Sequence, residues 1–329
     1  MPSKGVGAIK ILIKMAFLRH DLGTYYQKNN RAERNIIMKR ILVPAFVALA
    51  SLPAAAQDAG NGLSFGGEVK LEYDDLTSGA WVFDGDVGLA WRSGGVLGFD
   101  ASIDTTYVDD GTDLTNIWAA LVLSTGAGEF ALGAPRPLVD SMDPMPRFST
   151  SRLVDLELSG FMGPMTSIAS ALDNGMTPGI TYSQSAGNLT FGAGYHHLND
   201  ENIDVAEGVM QYATGATTYF ISGEFATAPG NDVSLMQIGA FHDADRYDLG
   251  AAFAQYDAGD AVHSLRLYGS YDVMSALTLR GDMLLLEDAS DIYSLSATYA
   301  MPNGLFVEGG GTKANGSTEI YDIGIGYKF

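Results

Sequence analysis

The sequence predicts an all-β fold, a 16-stranded antiparallel transmembrane β-barrel whose third outer loop folds inward. Three observations predict it. Sixteen segments alternate apolar with small or polar side chains, and successive side chains of a strand point to opposite faces. The connections alternate as well, tight at one end and polar, mostly acidic, at the other. Aromatic residues gather near segment ends on the apolar parity, as in the girdles that flank the apolar band of a membrane barrel. An even strand count with short turns at one end fits such a barrel, and sixteen strands enclose water rather than a filled core.

The N-terminal region is of another kind. From Met38 the chain reads MKRILVPAFVALASLPAAAQDAG, with Lys39 and Arg40 as a positive start, an apolar run from Ile41 to Leu52, and small residues Ala54, Ala55 and Ala56. That is the layout of a secretory signal peptide over 38–56, with cleavage expected after Ala56. The run is too short for a stable membrane-spanning helix. Residues 1–37 stand upstream of a complete signal, so either Met38 is the true start, the preferred explanation, or the signal is unusually long. Residues 57–329 form the barrel.

The segments are 63–73, 80–92, 96–107, 115–124, 128–134, 178–184, 188–197, 205–213, 217–227, 232–242, 246–256, 262–271, 276–286, 291–300, 304–312 and 318–329. In the first, Leu63, Phe65, Val69, Leu71 and Tyr73 oppose Glu68, Lys70 and Glu72. In the second, Trp81, Phe83, Val87, Leu89 and Trp91 oppose Asp84, Asp86 and Arg92. The two tryptophans stand ten residues apart, a climb of roughly 23 Å for a strand tilted ~45°, close to the ~25 Å apolar band of such barrels. The last segment runs YDIGIGYKF, with Tyr321, Ile323, Ile325, Tyr327 and Phe329 on one parity to its final residue. Chain ends usually fray unless something ties them down. A face so apolar is expected to touch lipid or a neighbouring barrel.

One stretch breaks the rhythm. Residues 135–177 hold five prolines and no clean alternation, yet are too rich in Leu, Val, Phe, Met and Ile for disorder. A connection of this length within a compact domain is normally functional, and this one is expected to fold back into the lumen as a constriction loop.

Charge narrows the function. No cysteine occurs, which excludes a disulfide framework and a Cys-based metal site. Residues 57–329 carry ten Lys or Arg against 37 Asp or Glu, a net charge of −27. Nucleic acid is excluded as a partner, because its phosphates would be repelled.

Taken together, the signal peptide, the GEFALGAPRP strand running into a long third loop, the sixteen alternating segments and the terminal Phe329 resemble the general porins of Gram-negative outer membranes. The likeness is strongest to the alphaproteobacterial, Rhodobacter-like type and covers residues 57–329, although the PEFGGD loop sequence of enteric porins is missing. The resemblance implies a third loop that narrows the pore and three barrels packed as a homotrimer. It also implies a C-terminal aromatic strand, here with Tyr327 and Phe329, read by the barrel-assembly machinery. The function implied is passive diffusion of small hydrophilic solutes and ions through a water-filled channel, with no enzymatic activity and no cofactor.

In such a pore the working groups are fixed charges at the narrowest point. On the loop the candidates are Asp140, Asp143, Asp155 and Glu157, with Arg136, Arg147 and Arg152 beside them. On the wall, parity places Glu68, Lys70, Asp84, Asp86, Arg92, Asp100, Asp104, Arg266, Arg280 and Asp282 in the lumen. An acidic loop opposed to a basic wall would set a transverse field, and the acidic excess predicts modest cation selectivity. For each residue, plain solvation in a wet lumen is the competing reading.

The sequence fits three rival chemistries less well. Acidic outer loops such as DDGTD and EDASD could hold Ca²⁺ or bridge to lipopolysaccharide, but no EF-hand spacing appears and solvated charge is the preferred reading. A barrel hydrolase would need a histidine beside a nucleophile, and His263 and Ser264 fall on opposite faces of one strand. A substrate-specific channel for sugars would need a lumenal aromatic slide, and the inward parity offers mainly Phe220, Tyr256 and Tyr268. A channel for phosphate would need excess lumenal arginine, and the charge runs the other way.

Overall fold

A computed structural model describes residues 62–76, 79–109, 111–172, 176–199, 202–228, 231–287, 289–315 and 319–329. The expected signal peptide at 38–56 and the stretch before it lie outside the described residues. The strands are β1 (Gly62–Asp74), β2 (Ala80–Arg92), β3 (Leu97–Val108), β4 (Asp113–Thr125), β5 (Gly128–Ala134), β6 (Gly179–Ala186), β7 (Leu189–Leu198) and β8 (Ile203–Thr214). They continue as β9 (Thr217–Ala228), β10 (Asn231–Asp243), β11 (Tyr247–Asp257), β12 (Ala261–Met274), β13 (Leu277–Leu286), β14 (Ile292–Ala300), β15 (Leu305–Ala314) and β16 (Glu319–Lys328).

Each strand pairs antiparallel with its neighbours in sequence, and β1 pairs with β16, so the sheet closes on itself. All sixteen expected segments are strands, with ends within a few residues of those read from alternation. Closure leaves no unpaired edge, which is how a sheet satisfies its backbone polar groups in hydrocarbon. Among the described residues no helix is long and apolar enough to cross a membrane.

Parity falls as the pattern requires. Trp81, Leu295 and Ile323 are 52%, 69% and 61% exposed, whereas Glu72 and Asp74 on the other parity are fully buried. A sandwich would have these the other way round. So many large exposed apolar side chains on one continuous face mark a surface made for contact with an apolar environment.

The seam between the first and last strands takes in Phe329. The N–H of Phe329 donates to the Gly67 carbonyl at 3.0 Å, and the N–H of Gly67 to the Phe329 carbonyl at 3.1 Å. The Phe329 ring stacks on Phe65 and Tyr327 at centroid distances of 5.1 and 6.0 Å. Neither terminal ring is bare. Tyr327 is buried and Phe329 half-buried, because the aromatic parity of β1 covers them once the barrel has closed.

The connections differ less in length than expected. Those after the even-numbered strands have two to four residues, and those after the odd-numbered strands, the third apart, have two to five. The strands run almost to the tips of the polar loops. Gly304 illustrates the tight end: its φ of +89° suits only glycine, and a Cβ there would strike the Lys328 carbonyl. Only the third connection, residues 135–178, has length to spare. It carries α1 (Leu138–Ser141), α2 (Arg152–Met162) and α3 (Met165–Leu172), none of them anticipated from the sequence.

Ile323→Arg would place a guanidinium mid-strand on the apolar face of β16. It is expected to destabilise the vesicle-folded barrel by about 2–4 kcal/mol, read as a lower urea midpoint. An unchanged midpoint would mean that this face does not meet hydrocarbon.

Candidate functional site

The site is built where residues 135–178 meet the buried parity of the wall. The sequence creates the need for this contact. Glu68 lies opposite Asp86 across β1 and β2, and Asp86 lies opposite Asp104 across β2 and β3. Carboxylates directly opposite one another repel, so a ladder of this kind needs cations from outside the sheet.

The third connection supplies them. Arg136 donates from Nη1 to Asp86 at 2.9 Å and from Nε to Asp140 at 2.8 Å. Burial works against the charge on Arg136, and the carboxylates of Asp140 and Asp86 more than offset it, holding the guanidinium above the usual arginine range. Arg147 reaches Asp84 at 2.5 Å. Arg152 meets the same carboxylate at 3.0 Å, Asp155 at 3.0 Å and Asp104 at 3.7 Å, and it donates to the Thr106 hydroxyl at 2.9 Å.

The polarity of this contact is the reverse of the acidic loop and basic wall read from the sequence. Over β1 to β3 the loop is basic and the wall acidic. The reason is register: it stacks acids on three adjacent strands, and only the third connection can reach them. Lys70, the one wall cation here, is buried among Glu72 at 2.7 Å, Glu308 at 2.8 Å and the Thr150 carbonyl at 2.6 Å.

Across the barrel, Arg266 pairs with Asp282 at 2.7 Å, and Arg280 reaches the same carboxylate at 3.4 Å. Both arginines also donate to the Arg147 carbonyl. Their planes lie over Tyr268, and Arg266 also over Phe148 at 5.5 Å, so these cations fix the connection through stacking and its backbone. The remaining candidates are scattered. Arg92 and Asp100 pair with each other at 2.5 Å near the tight-turn end, beside Glu129, and line one cavity with Arg136 and Leu138 of the connection without bonding to it. Glu68 makes no ion pair among the described residues, while Asp143 and Glu157 are exposed.

The sequence reading passed over a second group. Glu207 on β8 accepts from the N–H groups of Leu138 and Val139 at 2.8 and 3.0 Å, the first amides of α1. Glu72 on β1 accepts from the N–H of Arg152 at 2.9 Å, the first amide of α2. Glu224 on β9 accepts from Met165 and Thr166 at 2.5 and 3.0 Å, the first amides of α3. The free N–H groups and positive dipole end of a helix suit an anion. Amide donors of the wall meet the other ends, Gln211 reaching the Met142 carbonyl and Gln237 that of Met162.

Local sequence supports these helices. The Ser151 hydroxyl accepts from the N–H of Val154 at 3.1 Å, an N-cap. Val154, Leu158 and Phe161 follow at helical spacing and pack around Leu284. That spacing was legible; the partners of the helix ends were not.

His263 faces outward, stacked on Phe253 at 5.7 Å, while Ser264 turns inward to the Phe161 carbonyl. Phe220, Tyr256 and Tyr268 are buried against neighbouring apolar residues rather than forming an open slide. Among the described residues no group of three or more His, Asp or Glu is placed to hold a metal ion.

A profile described as Gram-negative porin matches residues 44–329, most of the chain. The chain belongs to the Gram-negative porin family. A porin is an outer-membrane channel for passive diffusion, and a closed sixteen-stranded barrel is the architecture that carries it. Solved structures with the same fold include Salmonella typhi OmpF in complex with daunomycin (16% identity, TM-score 0.61, 82% of this chain and 98% of that one). A second is the trimer form of Vibrio cholerae OmpT, an outer membrane protein (15%, 0.59, 81% and 99%). A third is a triple mutant of the Rhodopseudomonas blastica porin (16%, 0.57, 81% and 100%). A search of curated protein sequences finds no match.

Asp84→Asn in this porin leaves Arg147 and Arg152 without their shared carboxylate. Since Arg147 is partly exposed, the expected loss is at the lower end of the about 3–5 kcal/mol for breaking a buried pair. The urea midpoint should fall and the reversal potential should move toward anions. Unchanged values of both would mean that Asp84 holds neither arginine.

Proposed function

We propose that the third connection lies inside the barrel and narrows a water-filled, mildly cation-selective channel for small hydrophilic solutes and ions. One observation carries this reading. Side chains and backbone of residues 135–178 bond to Lys70 and Asp84 on one side of the cylinder and to Glu224, Gln237 and Arg266 on the other. A segment can reach opposite walls of a closed sheet only from within it.

The candidate charges then divide by exposure. Asp143 and Glu157 are exposed, and Asp86, Arg136 and Arg147 keep part of their side chains in water. These are the groups a passing ion meets. Arg136 and Arg147 are each neutralised by a carboxylate at hydrogen-bond distance. The surplus of acids is therefore left to attract cations.

The wider setting is proposed on the same footing. The apolar outer face suits a lipid bilayer, with lipopolysaccharide as its outer leaflet. A homotrimer accords with the trimer form of Vibrio cholerae OmpT. Export by a cleaved signal over 38–56 accords with the sequence there. The aromatic end with Tyr327 and Phe329 would be read by the barrel-assembly machinery before the seam closes over it. A transport role without catalysis accords with family membership and with the separation of His263 from Ser264.

Single-channel recording in a planar bilayer under a KCl gradient tests the proposal. The wild type should conduct in proportion to salt with a reversal potential of cation-selective sign. The pair Asp143→Asn and Glu157→Gln should move that potential toward zero. Anion selectivity in the wild type, or a small conductance saturated by one solute, would replace the general cation-preferring pore with a specific channel.

A further inference from the structure

We infer that Glu72, Glu207 and Glu224 are positioning residues that set the bore of the channel by holding α1, α2 and α3 by their first amides. The inference rests on the lumenal placement proposed above.

Glu207 and Glu224 lie directly opposite each other across β8 and β9, and both are buried. Two buried carboxylates in that relation repel each other and lose solvation, so neither is expected in a wall that has only to be a wall. Glu224 makes no ion pair with Lys, Arg or His among the described residues, and the partner of Glu207 is His196 at 2.9 Å. What each acid does have is a pair of backbone N–H groups at the start of a helical segment. The repulsion is offset by the third connection, and the connection is held by the acids that repel.

Glu72, on the far side of the cylinder, adds the third point by holding the first amide of α2. Three separate attachments fix a body in place, and none is covalent. Moving α1 would carry Arg136 and Asp140 with it, and moving α2 would carry Arg152 and Asp155, so the same acids govern where these charges stand. Gln211 and Gln237 bond to carbonyls at the opposite helix ends. The wall is thus matched to the helices in polarity as well as in position.

Glutamine at these sites keeps the shape and removes the charge. It also offers a single acceptor oxygen, so one of two helix amides at each of Glu207 and Glu224 would face an NH₂ group. The test compares wild type, Glu207→Gln, Glu224→Gln, the double variant and a chain with residues 138–172 replaced by a short Gly/Ser linker. Each is refolded, and unitary conductance, open-channel noise and thermal midpoint are measured. The expected result is high conductance for the linker chain, with the double variant shifted toward it and noisier than wild type. The thermal midpoint should stay near that of the wild type.

If the linker chain conducts like wild type, the lumenal placement itself fails. If the linker chain conducts more and the glutamine variants do not differ from wild type, the placement stands and the positioning role is overturned. Glutamine variants with a lower thermal midpoint but wild-type conductance and noise would also overturn it, leaving the acids a structural role alone. Should the double variant not assemble, the two single variants carry the same comparison.

Discussion

The inward parity of this barrel wall carries more carboxylate than its own cations pair with. The rest of the structure is arranged around that excess. Glu68, Asp86 and Asp104 are stacked across β1, β2 and β3, and Glu207 faces Glu224 across β8 and β9. In a closed sheet these acids have nowhere else to turn. The third connection meets Asp84, Asp86 and Asp104 with three guanidiniums, and Glu72, Glu207 and Glu224 with the first amides of its helices. Charge complementarity therefore does for this segment what apolar burial does for a core helix, and the two act together where Phe148, Val154 and Leu158 pack on Leu284.

The outer surface obeys a simpler rule. Lipid replaces the hydrophobic core, so large apolar side chains are exposed and the order is kept by backbone pairing around a ring without edges. The C-terminal residue belongs to that ring. Phe329 exchanges two backbone hydrogen bonds with Gly67 and lays its ring on Phe65, which completes the seam between the first and last strands.

Transport follows from what remains in water. The outer connections other than the third are short, two to five residues each, and only the third has length to spare. On that segment the arginines are already satisfied by wall acids, whereas Asp143 and Glu157 are exposed. Over residues 57–329 acids outnumber bases by 37 to ten, so the carboxylates that hold the basic segment are part of a larger acidic excess. For small solutes, diffusion needs no more than this.

The sixteen strands, their order and the outward face of Trp81, Leu295 and Ile323 were legible in the sequence, because period-2 alternation is local and an even count lets the first and last strands pair antiparallel. The candidate charges were legible as a set, and Asp84, Asp86, Arg136, Arg147, Arg152 and Arg266 do come together with partners. Arg92 and Asp100 do not join them, since parity gives the face of a residue but not its height along the barrel. The helices of the third connection were hidden by its five prolines and mixed pattern, although the Ser151 cap and the spacing of Val154, Leu158 and Phe161 were there to be read. Composition and alternation thus determined a closed barrel and the face to which each strand residue turns. Which acids hold which helix, and that the loop is basic where the wall is acidic, was decided by register and by contacts between residues such as Arg152 and Glu72, eighty positions apart. Such pairings arise only when a closed sheet brings distant strands around one segment, and no local pattern encodes them.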